Sequence, residues 1–146
     1  SKSVRVRVDE TSVDSLPKAH IYRDLLSQAV VNILENAVKY ANDFSEVTIT
    51  AYLVGDNIDI DIANYGVRLR EEEVPKIFER GYRTKEAEEL VPSGTGIGCS
   101  VAKEIVELHG GKLIAHPSVY DAMKRAYKTT FRITIPYEDA SKGEES

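Results

Sequence analysis

The chain has 146 residues, 42% of them hydrophobic and 29% charged, with a formal net charge of −5 and a single cysteine. That size fits one domain with a real core, and the composition is that of a soluble globular protein with no apolar run long enough to span a membrane. The acidic balance, without a basic stripe interleaved with aromatics, argues against nucleic-acid binding, and Cys99, alone, cannot form an internal disulfide and suits a reducing compartment.

In chain order, Val4, Val6 and Val8 alternate with Arg5 and Arg7, which predicts an edge or outer strand. Leu16 to His20 reads as a loop, with His20 as a surface or loop histidine. The stretch Gln28 to Ala41, QAVVNILENAVKYA, predicts a helix with two unlike faces. Ala29, Ile33, Ala37 and Ala41 share an apolar side, while Asn32, Asn36, Lys39 and Tyr40 recur at helical spacing on another. A carboxamide oxygen is a hard ligand suited to Mg²⁺, and a lysine three residues on can meet phosphate, so the polar face points to a magnesium nucleotide.

Val47 to Val54 and Ile58 to Ala63 predict two strands around a turn of Gly55, Asp56 and Asn57, with Asp59 and Asp61 on a solvated face opposite three isoleucines. Glu71 to Arg80 predicts a short helix whose Phe78 caps the core. The polar stretch Thr84 to Pro92 follows. Ser93 to Gly98, SGTGIG, is a glycine-rich loop that runs into an amphipathic helix, with Val101, Ile105 and Leu108 in step and Gly110 and Gly111 at its end. Glycines before a helix let backbone amides face an anion where the helix dipole adds about half a positive charge, so the loop is a phosphate candidate. No lysine follows the last glycine, so it is not a P-loop. Lys112 to His116 and Thr130 to Ile135 predict a last pair of strands. Residues 1–137 form the expected domain, and Glu138 to Ser146 a polar, disordered tail.

Taken together, NILENAVKYA (Asn32 to Ala41), IFERGYR (Ile77 to Arg83), GTGIG (Gly94 to Gly98), HGG (His109 to Gly111) and TTFRITIP (Thr129 to Pro136) resemble, in order and spacing, the ATP-binding domain of sensor histidine kinases. That superfamily also holds gyrase B, the ninety-kilodalton heat-shock chaperones and the MutL proteins. The resemblance covers almost the whole chain. It implies an α+β fold of Bergerat type, a two-layer sandwich in which about three helices cover one face of a mixed, mostly antiparallel sheet. It also implies ATP and Mg²⁺ as ligands, with Asn36 as principal metal ligand, Asn32 supporting the metal or its waters, Lys39 on phosphate and Tyr40 near adenine or ribose. Arg83 then lies near the terminal phosphate, Gly94, Thr95, Gly96, Ile97 and Gly98 line the phosphates, Thr84 to Pro92 forms the lid, and Thr130 reaches adenine through water.

The resemblance departs in three places. Asn64, before Gly66, stands where the family usually has an aspartate that accepts the adenine amino proton, which weakens that bond by ~1 kcal/mol. Arg68 replaces the second glycine of that motif, and Lys128 the glycine before the threonine pair. In the ATPase and serine-kinase branches a glutamate lies one helical turn before the metal asparagine. Here that residue is Asn32, and an amide cannot act as general base, whereas a histidine acceptor attacks with its own lone pair. Glu35 is about 100° away from Asn36 around the helix.

The resemblance therefore implies the catalytic domain of a sensor histidine kinase, cytoplasmic in itself or as the cytoplasmic part of a membrane sensor, transferring the γ-phosphate of Mg·ATP to a histidine on a separate upstream dimerisation domain. A response regulator is the implied downstream partner, with no contact to nucleic acid or membrane. A degenerate regulatory docking module, or an ATPase or serine kinase, are the alternatives.

Overall fold

A computed structural model describes residues 3–10, 23–83 and 97–137. The chain order is β1 (Arg5–Val8), α1 (Arg23–Tyr40), β2 (Glu46–Val54), β3 (Asn57–Gly66), a 3-10 helix (Glu71–Lys76), α2 (Gly98–Leu108), β4 (Lys112–Asp121) and β5 (Ala126–Pro136). The five strands form one sheet in the order β1-β2-β3-β5-β4. β1 runs parallel to β2, and the other neighbours are antiparallel. The two helices pack on the same side, which gives the expected two-layer α+β sandwich. His20, the lid Thr84 to Pro92 and the tail Glu138 to Ser146 lie outside the described residues.

Each helix buries the face that its apolar spacing selects. α1 turns Leu26, Ala29, Ile33 and Ala37 inward, and α2 buries Ala102, Ile105 and Val106. They close over Val47, Ile62, Phe131, Ile133 and Ile135 of the sheet. α2 stops where the HGG triplet stands: Gly110 takes φ +72°, its amide donates to the Glu107 carbonyl, and the Gly111 amide to that of Val106. This is a glycine C-cap that satisfies carbonyls the last helical turn leaves open. The β2–β3 turn is tighter than its three polar residues suggest, because Asn57 already pairs with Val54 and only Gly55 and Asp56 bridge the strands. Gly55, at φ +58°, occupies a turn position that favours glycine.

Three local expectations change. The segment after Arg70 is a 3-10 helix of six residues, not a helix to Arg80, because Pro75 lacks the N–H that a longer α-helix needs. Phe78 still reaches the core, edge-on to Phe131 with ring centroids 6.1 Å apart. The last two strands are longer than expected, β4 passing Pro117 through a bulge between His116 and Val119 and continuing into a Tyr120–Tyr127 cross-strand pair with centroids 5.2 Å apart.

The third change concerns Asp59 and Asp61, which do not lie on a solvated face. Asp59 is 7% exposed and accepts from Thr134 Oγ1 at 2.6 Å. Asp61 accepts from Arg132 Nε at 2.8 Å and Nη2 at 3.1 Å, and from the Tyr52 hydroxyl at 2.8 Å. Cross-strand register places Asp59 opposite Thr134 and Asp61 opposite Arg132, so the outer face of the sheet carries a bidentate ion pair with its own donors. The hydrogen bond to Asp61 holds the Arg132 guanidinium more firmly protonated than usual. Burial first, and then the bond to Asp61, push the Tyr52 phenol up to about 12 from 10.0.

One glycine is demanded by the way the layers cross. A Cβ on Gly66 would sit inside the contact radius of the Tyr40 carbonyl oxygen. At that point the Val67 amide donates to Tyr40 O at 3.0 Å, and the Asn42 amide to Tyr65 O at 2.8 Å. The end of α1 is thereby laced to the end of β3.

Two measurements follow. Gly66→Ala should lower unfolding free energy by at least about 2 kcal/mol, because neither backbone can retreat without breaking these bonds; urea denaturation checks this. Because Tyr52 holds its proton more tightly folded than unfolded, its contribution is fully present below about pH 10 and is lost as pH rises toward 12. Tyr52→Phe should cost about 1 kcal/mol at pH 8. The gap from wild type should close over that window, as read by denaturation at pH 8 and at stepped values above pH 10.

Candidate functional site

A cleft of ≈ 240 Å³ opens between α1, the end of β3, the start of α2 and the middle of β5. α1 gives Asn32, Glu35, Asn36, Lys39 and Tyr40; β3 and the chain after it give Asn64, Val67, Arg68 and Leu69. Ile77, Tyr82, Arg83, Gly98, Cys99, Thr129 and Phe131 complete the wall. The polar face of α1 therefore lines a cavity, while its opposite face is sealed in the core.

Asn32 is engaged within the protein. Its Oδ1 accepts from Gln28 Nε2 at 2.7 Å, and its Nδ2 donates to the Gly98 carbonyl at 3.4 Å, which ties α1 to the first residue of α2. A Cβ on Gly98 would be in ordinary contact with Asn32, so the two backbones run close here. Asn36, one turn on, also lines the cleft and is half-buried. Lys39 lies further along the same helix face, and Arg83 Nη2 donates to the Tyr40 hydroxyl at 3.2 Å. The cleft thus gathers carboxamides and cations along one helix.

The other end of the cleft is more buried. Asn64 is 3% exposed, and its Nδ2 is buried with no hydrogen-bond partner. Thr129, its cross-strand neighbour, is 4% exposed and shares a 2.6 Å hydrogen bond with the Ser118 hydroxyl. Ser118 in turn holds the chain after β3: its Oγ accepts from the Leu69 amide at 2.7 Å, and its own amide donates to the Leu69 carbonyl at 2.8 Å. The Arg68 guanidinium lies over the Tyr127 ring, 4.8 Å from its centroid. Cys99 sits in the wall with its thiol pushed up to about 11 by burial, a small packing residue and not a ready nucleophile.

Of the residues expected at the site, Asn32, Asn36, Lys39, Tyr40, Asn64, Arg83 and Gly98 line this cleft. Ile97 is the residue before α2, outside the lining, and Gly66 serves the crossing of α1 over β3. Gly94, Thr95 and Gly96 lie outside the described residues. Thr130 lies apart from this lining. It pairs with Ala63 and alternates with the buried run Thr129, Phe131, Ile133 and Ile135, so it belongs to the outer face of the sheet with Arg132. Thr129 is the threonine of the cleft, and the parity of the apolar residues in TTFRITIP carried that signal. Glu35, set aside on helical angle alone, also lines the cleft from its exposed rim.

Among the described residues no group of three or more His, Cys, Asp or Glu side chains converges to hold a metal. A hard divalent ion here would draw on neutral amide oxygen, water and the phosphates of its own substrate, the donor set that magnesium prefers. Asn36 fits that use, since it lines the cleft beside the cations.

Comparisons with known proteins bear on the family and the fold. The family model for histidine kinase-, DNA gyrase B-, and HSP90-like ATPase matches residues 21–139. The chain is 36% identical over 113 residues to the sensor protein VanS of Enterococcus faecium, covering 77% of this chain and 27% of that protein. It is 32% identical over 132 residues to the sensor protein KdpD of Escherichia coli strain K12, covering 90% of this chain and 14% of that protein. It thus spans about a quarter or less of the length of these curated relatives. Among solved structures, the mycobacterial sensor histidine kinase MprB superposes with a TM-score of 0.74 at 25% identity, covering 92% of this chain and 82% of that one. The catalytic domain of the histidine kinase ThkA shares the fold, with a TM-score of 0.69 at 21% identity over 92% of this chain and 78% of that one. The chain belongs to the histidine kinase-, DNA gyrase B- and HSP90-like ATPase family.

Proposed function

We propose that this domain binds Mg·ATP in the α1 cleft and transfers the γ-phosphate to a histidine carried by another domain of its parent protein. The observation that carries the reading is the make-up of the α1 face, where Asn36 and Lys39 stand in the cleft beside an Asn32 that is an amide and not a carboxylate. Phosphoryl transfer is largely positioning and charge stabilisation, so a site can work with no group beyond these if the nucleophile brings its own lone pair. A neutral imidazole does so, whereas water or serine needs a base.

In this reading Asn36 is the metal ligand, and Lys39 and Arg83 face the phosphates. A Mg²⁺ ion held by Asn36 would offset the negative charge of the phosphates. Asn32 acts through its neighbours: with Oδ1 held by Gln28 and Nδ2 on Gly98, it fixes the start of α2 against α1. Gly94, Thr95 and Gly96 are the further residues proposed to contact the phosphates. The histidine-bearing domain and a response regulator are the proposed partners, as for the sensor kinases that the chain resembles, and residues 1–137 the folded unit. Among the described residues no helix is long and apolar enough to cross a membrane, consistent with a domain working in the cytoplasm.

One observation favours a second reading. Glu35 lines the rim of the cleft, where a carboxylate can take a proton from water or serine. The two readings separate in one assay. Incubated with [γ-³²P]ATP, Mg²⁺ and a helical hairpin bearing the acceptor histidine of the parent protein, the domain should yield acid-labile, base-stable phosphate on that hairpin. Glu35→Gln should keep that transfer within about threefold of wild type. Acid-stable phosphoserine, or phosphate release without the hairpin that Glu35→Gln abolishes, would reverse the assignment.

A further inference from the structure

Among the described residues, the buried end of the cleft is rich in hydrogen-bond donors and holds no carboxylate. Four buried side-chain nitrogens among the described residues have no hydrogen-bond partner, and Asn64 Nδ2 and Arg68 Nε are two of them, both on residues that line this end. An orphaned buried donor costs about 1–3 kcal/mol unless an acceptor arrives to relieve it. Thr129, which also lines this end, shares its hydroxyl hydrogen bond with Ser118, whose oxygen accepts from the Leu69 amide as well. Among the described residues the sole carboxylate in the lining, Glu35, belongs to α1 beside Asn36, at the other end.

Purines differ most at this kind of wall. Adenine presents an amino group at C6, a donor, whereas guanine and hypoxanthine present a carbonyl oxygen at C6 and a protonated N1. An aspartate could accept from the adenine amino group and would repel a carbonyl oxygen. An amide does either, since rotation by 180° exchanges its oxygen and nitrogen at little cost. Arginine, here with its guanidinium over the Tyr127 ring, is also the side chain that best meets O6 and N7 of guanine.

Resting on the nucleotide reading above, we propose that the base end of this cleft accepts 6-oxopurine nucleotides at least as well as adenine nucleotides, with Asn64 Nδ2 donating to the C6 oxygen and Arg68 supplying a further donor. Asn64 is then the specificity-determining residue. Its amide opens the site to both purine classes, and its replacement by a carboxylate closes it to one.

The test is displacement of a fluorescent ATP analogue from the intact domain by Mg·ATP, Mg·GTP and Mg·ITP. On the wild-type protein, GTP and ITP should compete within roughly threefold of ATP or better. ITP carries the C6 oxygen without the 2-amino group of guanine, so it reads the proposed bond directly and needs no variant. Asn64→Asp should weaken GTP and ITP by roughly tenfold or more while holding or improving ATP, and Arg68→Ala should weaken GTP more than ATP. ATP competing well while GTP and ITP are each more than about tenfold weaker on wild type would overturn the purine proposal and leave the nucleotide reading standing. Failure of all three nucleotides to displace the probe would overturn both. Should Asn64→Asp lose its folded circular dichroism, the wild-type comparison of three nucleotides still decides.

Discussion

Everything at the site depends on how α1 is pinned against the sheet. At its C-terminal end the Tyr40 carbonyl accepts from the Val67 amide, an approach that Gly66 permits by having no side chain. Further up the helix, Asn32 bridges Gln28 and the Gly98 carbonyl. Between these ties the apolar face packs on Ile62 and Phe131, which sets the rotation of the helix about its axis. With that angle fixed, Asn36 and Lys39 have one place to go, the cleft. A polar helix face that would otherwise be merely wet becomes one wall of the cleft.

The sheet divides its charge between two faces. The helix side keeps aliphatic and aromatic residues up to the cleft, where Asn64 and Thr129 introduce the first polar groups. The outer side carries Asp59, Asp61, Arg132, Thr134 and Tyr52 in one connected network. Such networks stabilise little by charge alone, since desolvation offsets attraction, but each carboxylate here has donors that answer it. This keeps ion pairing on the outer face, and leaves the cleft side with unanswered donors at Asn64 and Arg68.

Much of this was legible in the residues because local periodicity and tertiary burial agreed. The two faces of α1, the glycine stop of α2 and the β2–β3 hairpin each follow from spacing that a single element imposes on itself. What the sequence hid were features set by pairing across elements. Asp59 and Asp61 look solvated until the register brings Arg132 and Thr134 opposite them. Thr129 and Thr130 are chemically identical, and only the parity of the strand separates them. Ser118 carried no signal at all, because its role depends on a bulge that brings it to Leu69. The tie from Asn32 to Gly98 was equally hidden, since a helix alone cannot reveal which of its asparagines another helix will claim.

The central claim is that the Asn36 face of α1 holds a nucleotide through its metal. The most direct measurement is calorimetric titration of the domain with ATP, in magnesium and in EDTA, alongside Asn36→Ala. Saturable binding that requires magnesium and weakens by roughly thirtyfold or more in the variant is the predicted result. Binding of equal strength in EDTA, or a variant indistinguishable from wild type, would contradict the account.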